Sequence, residues 1–152
     1  MKHRPIRLSA IERALIERDW HAGAVTAQIQ ALIGDSAPHM VNAAGRVLYV
    51  VLGAVREDFA DQDHPDIDAL ARGGDAVFAL VGAEAVDSAA RTLIWSALQA
   101  AERLVPQLSR ASLIRSACAM TLQLRAGRHI DAVAFEKVMG REINEALPLE
   151  SL

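Results

Sequence analysis

One cysteine, few aromatic side chains and no surplus of positive charge mark this 152-residue chain, and each shortage removes a class of protein. With Cys118 alone, an intramolecular disulfide is impossible and no C-x-x-C pair is available for zinc or redox chemistry. Aromatics make up only 4% of the residues, so the bulky faces that sheets prefer are scarce. A net charge of −3 leaves no global positive field to draw the protein to DNA, RNA or anionic lipid. No HExxH, no phosphate-binding G-x-x-x-x-G-K-[ST] loop and no repeated Glu-x-x-His pairing occurs, so zinc-peptidase, P-loop and di-iron readings have no motif behind them. The most apolar run, Val47 to Val55, is too short to span a bilayer. The basic start, MKHRPIR, leads into LSAIERALIERDW rather than an apolar leader core, so secretion is not expected and the expected setting is the cytoplasm.

What the chain does have is alanine and leucine. Hydrophobic residues reach 52%, and mean hydropathy is +0.17. Small apolar residues favour closely packed helices. So much apolar surface in so short a chain also points to burial between subunits. The expected fold is all-α, a compact bundle of five to seven helices. Residues 1–8 are read as a basic lead-in, 9–141 as a single helical domain and 142–152 as an acidic tail.

The central element of that reading is Pro38–Phe59, PHMVNAAGRVLYVVLGAVREDF, apolar almost all round. Its exceptions, His39, Asn42, Arg46, Tyr49, Gly53 and Arg56, recur every three or four residues and fall on one stripe of a helix. Ser36 is its expected N-cap. Before it, Ser9 and Glu12 have the spacing of a capping box. The first helix runs from there, with a bend or restart expected at Gly23. Val25, Ile29, Leu32 and Ile33 form an apolar stripe closed by Gly34.

After the acidic linker ADQDHPDID, Pro65 starts a short helix that Gly73 and Gly74 are expected to close, and Asp75 caps another short one. A longer helix is expected from Ala83 to Val105, and Ser109 caps the next, Arg110 to about Arg125. Asp131 can cap a last helix to Met139. VNAAGRVLYVVLGAVRED from Val41 and VDSAARTLIWSALQAAER from Val86 match weakly. Each sets a polar residue four before an arginine (Asn42 with Arg46, Asp87 with Arg91), and the second pair reads as an i,i+4 ion pair.

Three places carry possible chemistry. His39, Asn42, Arg46 and Tyr49 would stack along one side of the central helix, where arginine can fork a carboxylate or phosphate and His or Tyr can exchange protons. Against this, the stripe can simply face water. The linker acids, Glu57, Asp58, Asp61, Asp63, Asp66 and Asp68 with His64, resemble a cation site only loosely, and a solvated, capping loop is the better reading. The turn AGRHID joins two helices in a basic third of the chain, with Arg125, Arg128, Lys137 and Arg141 as candidate phosphate contacts. The would-be recognition helix, DAVAFEKVMGRE, offers no Asn, Gln, Ser or Thr for base edges, so nucleic acid is not the expected partner. Trp20 and Trp95 are candidate interface anchors.

No catalytic residue, metal site or cofactor is assigned. The expected function is a non-enzymatic interaction or regulatory domain that associates with itself, as a homodimer through a helical face. The alternatives are a small-molecule or anion pocket centred on Arg46, and a DNA-binding regulator built on the C-terminal helix pair.

Overall fold

Each helix of the computed structural model, which describes residues 9–125, begins where a side chain can take up free backbone amides. Helix α1 (Ala10–Ile33) opens with the reciprocal capping box: Glu12 N–H donates to Ser9 Oγ at 3.1 Å, and Ser9 N–H donates to Glu12 Oε1 at 3.3 Å. Helix α2 (Ala37–Asp58) starts at Ser36, whose hydroxyl accepts from His39 N–H, with Pro38 in the first turn. His64 Nδ1 accepts from Asp66 N–H at 3.0 Å to start α3 (Pro65–Ala79). Asp87 accepts from Ala90 N–H at 2.7 Å to start α4 (Ser88–Leu104). A single 3-10 turn, Val105–Gln107, then leads to α5 (Arg110–Arg125).

Among the described residues these five α-helices are packed together with no β-strand, an all-α bundle at the lower end of the expected helix count. A lone two-residue bridge, Ser36 with Ala85, pins the loop before α2 to the loop before α4. None of the helices is long and apolar enough to cross a membrane.

Helix α2 occupies the middle. Every residue from Val47 to Val55 is buried, Tyr49 and Gly53 included, because α1, α3, α4 and α5 all pack against it. The polar stripe predicted along it is therefore not continuous. His39, Asn42 and Arg46 are exposed near the N-terminal end, whereas Tyr49 lies at 1% exposure inside the core.

Three glycines expected to break helices do not. Helix α1 continues through Gly23 without a restart, and α3 runs through Gly73 and Gly74. At Gly73 the reason is packing. A Cβ there would fall 2.1 Å from Ala97 Cβ, so the missing side chain lets α3 and α4 approach closely. That pair makes the most extensive helix–helix contact among the described residues.

The i,i+4 ion pair expected between Asp87 and Arg91 is also absent from the structure. Asp87 is occupied as an N-cap. Arg91 reaches across to the end of α1, donating to the carbonyls of Ala31 (2.9 Å) and Gly34 and approaching Asp35 at 3.4 Å. The last turn of α1 leaves carbonyls without intrahelical partners, and a guanidinium meets both their hydrogen-bonding capacity and the negative end of the helix dipole. Among the described residues Arg46, the counterpart in the weak internal match, bonds locally, its Nε donating to Asn42 Oδ1 at 3.0 Å.

Candidate functional site

The acids of the linker act as connectors. Asp58 receives Ser109 N–H at 2.6 Å and Ser112 Oγ–H at 2.5 Å, tying the end of α2 to the start of α5. Asp66 takes a two-nitrogen contact from Arg103, and Asp68 pairs with Arg72. Those hydrogen bonds hold the Asp66 carboxyl below the ordinary carboxylate range. Among the described residues no three His, Cys, Asp or Glu side chains gather in a way that could hold a metal ion.

The basic residues of α5 pair with acids of α1 and α2. Arg110 forks Glu17 of α1 with contacts of 2.7 and 2.8 Å, Arg115 pairs with Glu57 of α2, and Arg125 lies 3.5 Å from Glu12. Glu17 is held below its usual value by the bond from Arg110. These arginines are matched by acids of the same molecule, which leaves α5 little unneutralised charge for a phosphate backbone. Arg128, Lys137 and Arg141 lie outside the described residues, as do the helix predicted from Asp131 and the acidic tail.

Cys118 is buried in α5, and burial pushes its thiol up to about 11, far from the thiolate a nucleophile needs. Tyr49 is pushed up to about 12 by the same cause, so its phenol holds its proton at neutral pH. The structure thus separates Tyr49 from the set of four. His39 and Tyr49 do not line the cavity that Asn42 and Arg46 border.

That cavity, about 620 Å³, is a groove between α1, α2 and α5. Its apolar surface comes from Leu15, Ile16, Trp20, Val47, Met120 and Leu124, and its polar edge from Glu12, Asp19, Asn42, Arg46 and Arg125. Trp20 is nine-tenths buried, packs edge-on against His21, and has no hydrogen-bond partner for its indole N–H among the described residues. Neither tryptophan forms an exposed patch, for Trp95 is half-buried against the core.

The exposed apolar surface lies on α1. Its buried side is Ile16, Trp20, Ala27 and Ala31. On the opposite side, Val25, Ile29, Leu32 and Ile33 remain between 51% and 76% exposed, and Ile11 and Leu15 continue the line toward the N-terminus. The stripe predicted in the sequence is real, but it faces away from the bundle. Residues 11, 15, 18, 22, 25, 29 and 32 alternate in steps of four and three, the spacing of a helix–helix seam, with Arg18 and Ala22 in the middle. A helix with apolar residues on two faces gives periodicity without saying which face meets the body, and this ambiguity hid the patch. No family model, no characterised protein and no solved structure matches the chain.

Proposed function

We propose that this chain is a non-enzymatic helical interaction module that associates with a second copy of itself through the outer face of α1. The observation that carries the reading is the row Val25, Ile29, Leu32 and Ile33, which leaves on the order of 400 Å² of aliphatic surface in water. Monomers carry apolar patches of that size, so it is the arrangement of this one along a single helix that supports a contact surface. The four-three spacing suits a like helix, because a two-fold axis brings the same stripe to both sides and each side chain enters a gap on the partner. Arg18, already beside Asp19 at 3.2 Å, would sit toward the seam's middle, where a charge restricts the register of pairing.

Sedimentation over a range of concentrations tests this. The parent is expected to dimerise, and Ile29→Asp or Leu32→Asp to raise the dissociation constant at least tenfold, about 1.4 kcal/mol. Both positions face water in the protomer, so helicity should be retained. A compact monomer at high concentration, or a dimer indifferent to both substitutions, would sink the reading.

A further inference from the structure

We propose that the groove between α1, α2 and α5 binds an amphipathic carboxylate, an apolar body carrying one acid head, independently of α1 self-association. Its volume of about 620 Å³ lies in the range of small-molecule sites, and its floor of Ile16, Trp20, Val47, Met120 and Leu124 suits an aliphatic or aromatic body. The head group follows from the charges at the edge. Arg125 is matched by Glu12, and Asp19 by Arg18. Arg46 has no carboxylate within ion-pair distance among the described residues.

Its Nε donates to Asn42 Oδ1, which orients the guanidinium and leaves the two terminal nitrogens for a fork onto a carboxylate. A single guanidinium without a glycine-rich cradle selects a monoanion over a nucleotide. Trp20 contributes aromatic wall to the groove; its indole N–H is buried and has no partner among the described residues. Leu15 belongs to both the groove and the α1 seam, but Val25, Ile29, Leu32 and Ile33 do not line the groove, so substitutions at those four disrupt the seam alone.

The test uses the full chain carrying Trp95→Phe, so that Trp20 is the single reporting indole. Decanoate, decanol and decylamine are titrated below their micelle concentrations, with Trp20 emission and thermal midpoint as readouts. Decanoate is expected to bind saturably, about tenfold or more tighter than decanol or decylamine. In Arg46→Gln that preference should vanish, with decanoate falling to the level of decanol. Leu124→Asp, which puts a charge in the floor, should weaken all three. The proposal is overturned if none of the three binds saturably, if the parent binds decanoate and decylamine equally, or if Arg46→Gln keeps the preference.

Discussion

Gly73→Ala should destabilise the protein although alanine is the better helix former. The added Cβ would sit 2.1 Å from Ala97 Cβ, 3.3 Å from the Leu93 carbonyl oxygen and 3.4 Å from Leu48 Cδ1. Carbon atoms settle at roughly 3.5–4.0 Å, so α3 and α4 would have to part by more than an ångström. Ala97 has only a methyl group and cannot swing aside, which makes the shift a backbone movement. Overpacking of this kind costs about 1–3 kcal/mol, and the first contact places Gly73 at the upper end. Helix propensity returns about 1 kcal/mol, leaving a net loss of about 2 kcal/mol.

Gly45→Ala is the contrasting case. The nearest atom to its Cβ is Val77 Cγ1 at 3.5 Å, an ordinary contact, so the propensity gain of up to about 1 kcal/mol should survive. Urea denaturation followed by far-UV circular dichroism should show a lower midpoint for Gly73→Ala and a higher one for Gly45→Ala, with slopes unchanged. Combining Gly73→Ala with Ala97→Gly should recover most of the clash. A Gly73→Ala variant as stable as the parent, or glycine variants that shift in the same direction, would refute the close-approach argument.

Arg91→Ala should cost about 1–2 kcal/mol and speed amide exchange in the last turn of α1, because carbonyls there lose a charged donor; Arg91→Lys should restore little, lacking the fork. That turn carries Leu32 and Ile33, so sedimentation of Arg91→Ala should also show weaker self-association. Glu17→Gln should lower stability at neutral pH by up to about 1 kcal/mol. The bond from Arg110 holds Glu17 below its ordinary 4.5, so its contribution is present above that value and fades as pH falls through the lowered one. Denaturation curves of parent and Glu17→Gln should therefore converge in acid, and a gap that persists or widens there would contradict the assignment.

Local signals in the sequence located most helix beginnings. Ser9 with Glu12, Ser36 with Pro38, Pro65 and Ser109 all sit where their side-chain chemistry placed them, since a cap acts within three or four residues of itself. What failed depended on partners distant in the chain. Gly73 looked like a stop because its reason for being glycine is Ala97 on another helix. Arg91 looked like a local ion pair because the carbonyls it serves are 57 and 60 residues away. For the candidate site, Asn42 and Arg46 were legible as polar positions, but their separation from Tyr49 was not, because a stripe carries no record of how far its neighbours reach. The groove floor came together from α1, α2 and α5, and nothing local in any one of these helices joins its members.

The enclosure of α2 also has a consequence for how the protein is made. A ribosome releases the chain from its N-terminus, and the cylinder Val47–Val55 emerges before α3, α4 and α5, the helices that later cover three of its sides. Until α3 emerges, only α1, itself apolar on two faces, is present to shield it, and the side that α5 covers stays open longest. The half-made chain therefore exposes its most water-averse segment for the longest time. Aggregation during synthesis, rather than unfolding afterwards, is where this architecture is most vulnerable.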